Sequence, residues 1–473
     1  MRKNLLTGAV ALGAVATMSA CQQPAAKSST QPNIIVVLLD DLGSGDVGFN
    51  GCQDIPTPNI DRIADQGVRC TDAYITAPYS GPSRAGILTG RYQQRYGVDG
   101  NSDIRTMEDL EMMRGVPVSE VLISEVLKEQ GYKTACIGKW HLGEHPSMWP
   151  QEQGFDYFYG FSGGGYSYWG DRNKNKPYWI QENGVEIMPT KQTYITDDFS
   201  NKAVDFIDKN AKAGDPFFIY LAYNAPHSGL NAPRRYLERT EHIANPERSI
   251  YGAMIMAVDD GLGWIWESLE RNGIADDTIL IFLSDNGGAS HSYSMNYPRR
   301  ARKGRMYDGG TKTPFAMCWG DNIKAGSLYD KTISSLNIFP TVVAAAGADL
   351  SQLTQLEGVD MMPYFNGCNS GVPNDRLYWR VWGGREYAMR SGDYKIVKNY
   401  YDDTVELYNL KSDPGEIYNI ADKQPEIAAK LNSEYMEWDS EIMEPRWLDK
   451  HGPNLERDHA EWLKIREKAS GNR

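Results

Sequence analysis

Two short runs place carboxylates at the ends of apolar stretches: Leu38-Leu39-Asp40-Asp41 and Leu283-Ser284-Asp285-Asn286-Gly287-Gly288. Three carboxylates and an amide brought together make an oxygen-rich set suited to a hard divalent cation. Either run alone reads better as a turn or a helix cap. Two of them, each closing an apolar strand, point to metal. A third run, Ser80-Gly81-Pro82-Ser83-Arg84, opens a helical stretch. By itself it is a capping turn, but a helix N-terminus also favours an anion, and Arg84, one turn in, carries a guanidinium shaped to grip an oxyanion. Lys139 and His141 stand just past another apolar run, His227 follows Ala225-Pro226, and Lys303 lies upstream of Asp308-Gly309-Gly310. Hydroxyl, ammonium and imidazole groups around a cation suit binding an anionic group and moving protons at it.

For these groups to meet, the runs that carry them must end at one edge. In α/β sheets that edge is the carboxyl end of the strands. Residues 34–39, 134–137, 217–221 and 279–283 are continuously apolar, as strands covered on both faces are. Between them lie helical patterns at 59–66 after Pro58, 118–130 before Gly131, 254–271 before Gly273, and 336–346 before Gly347. The alternation predicts an α/β fold with a large, mainly parallel sheet flanked by helices. Near Asp375 the texture changes. Residues 377–382, 386–390, 394–398 and 405–409 mix apolar and polar positions, and a helical pattern follows at 425–438. This predicts a smaller C-terminal subdomain of antiparallel sheet plus helix, with the polar tail 444–473 as a helix lying back over the main domain.

The chain has 473 residues, 41% of them hydrophobic, with 62 acidic side chains against 49 Lys and Arg. That acidic balance excludes a protein that coats nucleic acid. Residues 1–20 pair a basic start with a short apolar run, the pattern of a secretory signal, and Ser19-Ala20-Cys21 resembles a lipobox. Residues 21–32 then read as a tether from a lipidated Cys21, the only contact with a membrane. Loss of Arg2 and Lys3 takes the formal charge of −13 two further, to −15. Five cysteines remain, an odd number, and none lies in a CxxC pair. A Cys52–Cys70 bridge is compatible with export, although spacing alone does not establish it.

Ser80-x-Pro-x-Arg84 with Leu88-Thr89-Gly90-Arg91, and Gly138-Lys139-Trp140-His141-Leu142-Gly143, resemble the two signatures of the formylglycine-dependent type I sulfatases of the alkaline phosphatase superfamily. Lys303 to Gly310, Glu406-Leu-Tyr-Asn-Leu and Asp413-Pro414 match in order, so the resemblance runs from Pro32 to about Glu441. It implies a catalytic domain over 33–374, with 375–473 as C-terminal subdomain and tail. It further implies that Asp40, Asp41, Asp285 and Asn286, with modified Ser80, hold calcium. Ser80 would be oxidised to formylglycine, whose hydrated aldehyde is the nucleophile, and Arg84, Lys139, His141, His227 and Lys303 would surround the sulfate. His227 is then the first candidate for general acid, and His141 for taking the second proton. Two departures stand out: serine at the modified position, implying a serine-type maturing enzyme, and Asp308 where glutamate is usual.

The glycine-rich aromatic run Gly163 to Arg172 offers Tyr166, Trp169, Asp171 and Arg172 to a sugar, or is simply a packed loop. His291 is a minor substrate candidate, and Arg300 belongs either to a solvated run or to a second anion subsite. The reading is an exported bacterial lipoprotein, in the periplasm or at the outer membrane, acting on a sulfated mono-, oligo- or polysaccharide. Two alternatives stand beside it: a phosphatase or phosphodiesterase using unmodified Ser80, and a non-catalytic glycan-binding surface protein.

Overall fold

The computed structural model describes residues 31–103, 110–111, 113–170, 178–187, 193–399 and 404–447, without the side chain of Trp382. The signal, Cys21, most of the tether, Asp171, Arg172 and the predicted tail helix lie outside the described residues. Ten strands form one sheet: β1 (Asn33–Leu39), β2 (Val68–Cys70), β3 (Lys133–Lys139), β4 (Tyr157–Phe161), β5 (Gln181–Glu182), β6 (Val185–Glu186), β7 (Phe217–Ala222), β8 (Thr278–Ser284), β9 (Phe315–Cys318) and β10 (Ser327–Tyr329). Their order is β10-β2-β9-β8-β1-β7-β3-β4-β5-β6. The five strands β8-β1-β7-β3-β4 run parallel, and β9 is antiparallel to both neighbours.

Both faces of β1 are buried. Ile35, Val37 and Leu39 join one core, under α1 (Pro58–Asp65), α4 (Ile195–Ala213) and α5 (Pro246–Arg271). Ile34, Val36 and Leu38 join the other, under α2 (Ser80–Thr89), α3 (Ile123–Glu129) and α7 (Ile338–Ala345). Two-sided burial is why these strands show no alternation.

Several boundaries differ from expectation. The 118–130 pattern becomes helical only at α3, where Glu125 accepts from the Leu122 amide and caps the first turn; Val118 and Val121 are exposed. Helix α5 starts eight residues before its apolar pattern, at Pro246, because Asn245 caps it and Arg248 is drawn into a buried ion pair with Asp46. Cys52 and Cys70 are free thiols rather than a bridge. Cys52 Sγ donates to Asp54 Oδ1, and Cys70 is buried on β2.

The C-terminal part follows the expected pattern. Strands β11 (Arg376–Val381), β12 (Glu386–Ser391), β13 (Tyr394–Lys398) and β14 (Val405–Asn409) form an antiparallel sheet, covered by α8 (Pro425–Ser440). Trp379 on β11 donates to the Ile75 carbonyl at 2.7 Å, and Arg380 pairs with Asp99 at 2.8 Å, tying this sheet to segments on either side of α2. No helix of the described residues is long and apolar enough to cross a membrane.

Candidate active site

The carboxyl ends of the parallel strands carry the chemistry. Asp40 and Asp41 follow β1, Asp285 and Asn286 follow β8, Lys139 ends β3 with His141 two residues on, and His227 lies in the loop after β7. Ser80 is the first residue of α2, delivered beside them. Its Oγ lies 2.9 Å from Asp40 Oδ1 and 3.2 Å from Asn286 Oδ1. Lys303 arrives from the loop before the short helix α6 (Asp308–Thr311), its Nζ 2.6 Å from Asp41 Oδ1.

Each charge has an assigned neighbour. Lys139 Nζ is 2.6 Å from Asp40 Oδ2. Arg84, fully buried, donates from Nε and Nη2 to Asp285 Oδ2 at 2.9 and 2.7 Å, and from Nη1 to the Lys139 carbonyl. It therefore braces the Asp285 carboxylate rather than standing open to an anion. Asn286 Nδ2 donates to Asp41 Oδ1, which turns its Oδ1 towards Ser80. Asp41 and His141 both occupy the left-handed region, at φ 66° and 60°, where non-glycine residues are uncommon. Asp41 Oδ2 is buried without a hydrogen-bond partner, 3.8 Å from His227 Nε2.

Electrostatics separates the carboxylates. Burial pushes Asp40 up, but Lys139, His227, Arg84 and Lys303 together hold it well below the usual range. Asp41 is likewise held down against burial, chiefly by Lys303. Asp285 goes the other way, to about 6, through burial and the Asp40 carboxylate. Burial and nearby Lys139 take His141 down to about 4. Burial also lowers His227, against the pull of Asp40 and Asp41. Lys303 is raised despite burial by Asp41 and Asp40.

One neighbour carried no sequence signal. Asp103 Oδ1 lies 3.2 Å from His141 Nε2, across 38 residues of chain, and fixes the orientation of that ring. His141 Nδ1 is buried with no partner. Gly164 closes over the pair: a Cβ there would lie 2.5 Å from Asp103 Oδ1 and 2.7 Å from His141 Nε2, so only glycine passes.

The substrate candidates scatter. Tyr166 stacks on Phe161 and is half-buried, while Trp169 is exposed and donates to Asn231 Oδ1. His291 is exposed, five residues beyond Asn286. Arg300 does not join the site. Its guanidinium lies over the Tyr307 ring at 3.9 Å and donates to Tyr408 Oη and the Glu416 carbonyl, so aromatic packing and hydrogen bonds already occupy it.

A family model described as Sulfatase matches residues 32–348, and one described as N-sulphoglucosamine sulphohydrolase, C-terminal, matches 301–441. The chain is 29% identical over 489 residues to the uncharacterized sulfatase YdeN of Escherichia coli (strain K12), covering 85% of this chain and 84% of that one. It is 32% identical over 393 residues to N-acetylgalactosamine-6-sulfatase of Mus musculus, covering 80% and 74%. Among solved structures, Ps i-CgsB superposes with a TM-score of 0.83 at 35% identity, covering 89% of this chain and 95% of that one. Its complex with k-i-k-neocarrahexaose superposes with a TM-score of 0.82 at 34% identity, covering 90% and 96%.

Proposed function

This chain belongs to the sulfatase family and is a sulfuric ester hydrolase; we propose that it removes sulfate from a saccharide, using formylglycine made from Ser80 together with calcium. The observation that carries this reading is the seat of Ser80. Its Oγ sits between Asp40 and Asn286 oxygens, and the buried cations Lys139 and Arg84 pair with Asp40 and with Asp285 next to Asn286.

The donor set fits calcium. Asp40, Asp41, Asp285 and Asn286 supply oxygens only, and the orphaned Asp41 Oδ2 is an acceptor buried without a donor. These four residues, with residue 80, would hold the ion. Bound there, calcium supplies positive charge that acidifies a hydroxyl and offsets charge developing on the ester oxygens.

The chain's own groups divide the remaining work. Lys139 and Lys303 draw the sulfate in and screen its repulsion from an attacking oxygen. Arg84 keeps Asp285 in place. His227, whose side chain is 26% exposed, gives its Nδ1–H to the Ser228 carbonyl, so its doubly protonated form, favoured by Asp40 and Asp41 against burial, would protonate the leaving alcohol through Nε2. His141, its Nε2 set against Asp103, presents Nδ1 to take a proton from residue 80.

The hexasaccharide-bound relative supports a carbohydrate substrate, and the exposed Trp169 beside the His227 loop supplies an aromatic face for a sugar. The N-terminal sequence supports export and lipidation at Cys21. Oxidation of Ser80 by a serine-type maturing enzyme removes two hydrogens. Mass analysis of the tryptic peptide 70–84 from the native host is therefore expected to show that loss, and sulfate release from sulfated saccharides should accompany it. A wholly unmodified serine in active protein would end the formylglycine reading.

A further inference from the structure

Residues 287–306 form the rim next to Lys303, and they contain no Asp or Glu, in a chain that carries 62. The segment starts directly after Asn286 and is pinned from below. Gly288 and the Asn296 side chain exchange two hydrogen bonds at 2.9 Å, Met295 N donates to Asp46 Oδ2, and Gly45 N donates to the Met295 carbonyl. From His291 to Tyr297 every second residue faces solvent. Tyr293, Met295 and Tyr297 are 46%, 45% and 81% exposed, whereas Ser292 and Asn296 in the same stretch are buried. Tyr293 is held at φ 57°, with Arg248 donating to its carbonyl. The row continues onto a second segment: Gly415 packs against the Pro298 carbonyl, and Ile417 and Tyr418 beyond it are 61% and 59% exposed.

A rigid backbone that displays large side chains outward is a binding feature, because nothing in local packing rewards their exposure. The position says what binds. Among the groups around the proposed sulfate position, Lys303 and His227 are the partly open ones, at 17% and 26%, so the pocket opens beside this row. Lys303 N itself donates to the Gly288 carbonyl, which makes rim and pocket one continuous surface. Tyrosine faces stack on pyranose rings while their hydroxyls meet sugar hydroxyls, and a stretch without carboxylates tolerates further sulfates.

We propose that Tyr293, Met295, Tyr297, Ile417 and Tyr418 form a platform that binds the sugars flanking the one that carries the scissile sulfate, so that the preferred substrate is a sulfated polysaccharide rather than a single sugar. This rests on the sulfatase reading above. The test uses the full mature chain and the double variant Tyr297→Ala/Tyr418→Ala, both exposed positions. Affinity electrophoresis in gels holding carrageenan, chondroitin sulfate, fucoidan or heparin should retard the parent in at least one gel. The double variant should lose about tenfold in affinity there, while releasing sulfate from sulfated monosaccharides at the parent's rate. The same gels run with Ser80→Ala protein judge the platform without any turnover, so an inactive enzyme and a wrong platform give different results. Equal retardation of parent and variant, or no retardation in any gel, overturns the proposal. So does a loss in the variant only of dimerisation, or only of binding to phosphatidylglycerol vesicles, which would assign the row to a second copy or to a membrane.

Discussion

Two buried ionic clusters lie about one short loop apart, and they are built differently. The first is the site: Asp40, Asp41 and Asp285 against Lys139, Lys303 and Arg84. The second joins the C-terminal sheet to helix α6. There Lys395 Nζ pairs with Asp308 Oδ1 at 2.8 Å and Glu416 Oε1 at 2.9 Å, Tyr74 Oη donates to Asp308 Oδ2, and the Asp308 amide donates to Glu416 Oε2. Strain does not separate them, since Glu416 sits at φ 51° just as Asp41 and His141 sit in the left-handed region. Closure does. Both Asp308 oxygens are taken, and Lys395 is wholly buried. Glu416 Oε1 and Asp41 Oδ2 both lack a hydrogen bond, but the first has Lys395 at 2.9 Å, whereas the second has only His227 Nε2 at 3.8 Å, and Lys303 and His227 are partly open to solvent. A cluster that satisfies itself holds elements together; one left unsatisfied waits for a ligand.

Breaking each cluster should therefore cost different things. The largest effect is expected at residue 80. Ser80→Ala removes the oxygen from which the proposed formylglycine would be made, and sulfate release should fall by at least ~10³-fold with thermal stability close to the parent's. Activity within tenfold of the parent would show that residue 80 is not the nucleophile's source. The second cluster should show the opposite pattern. Lys395→Met leaves Asp308 and Glu416 buried without their cation, and unfolding in urea should report a loss of about 3–5 kcal/mol. Molecules that remain folded should keep turnover near the parent's, because Lys395 touches none of the site groups. A tenfold fall in kcat at unchanged stability would reverse the two roles.

Calcium sharpens the comparison by a smaller amount. If Asp41 Oδ2 is a ligand atom, calcium at a hundred times its Kd should stabilise the parent by about 2.7 kcal/mol. Asp41→Asn should abolish most of that gain in a thermal melt, and Asp308→Asn should not. Equal calcium responses in the two variants would mean the orphaned oxygen is not the metal's.

Much of this arrangement was legible in the chain because two-sided burial leaves apolar runs that need no partner to be recognised. The runs at 34–39, 134–137, 217–221 and 279–283 became β1, β3, β7 and β8, and their ends carried Asp40, Lys139, the His227 loop and Asp285 to one edge. Helix α4 was missed although Ile195, Phe199, Ala203, Phe206 and Ile207 repeat at helical spacing before Gly214, a sparser stripe than the continuous apolar runs of the strands. Asp103 was missed because a contact across 38 residues leaves no local pattern, and Arg300 misled because a guanidinium packed on two tyrosines reads, in sequence, like one free to bind an anion. The exposed row from Tyr293 to Tyr297 was equally hidden. Its outward faces follow from hydrogen bonds beneath it rather than from any repeating pattern.

The smallest effect concerns how the closed cluster is charged. Burial, and next to it the Asp308 carboxylate, push Glu416 up to about 7 against the pull of Lys395. An acid raised on folding holds its proton more tightly in the native state than in the unfolded chain. Its contribution to stability is thus complete below about pH 4.5, is lost as pH climbs through 7, and is constant above, at a slope of at most about 1.4 kcal/mol per pH unit. Glutamine mimics the protonated form and cannot titrate. Urea midpoints measured between pH 5 and 8 should therefore fall more steeply for the parent than for Glu416→Gln, with the variant gaining relative ground as pH rises. Parallel curves would mean that Glu416 is ionised throughout, and that the closed cluster is held by two full carboxylates around one lysine.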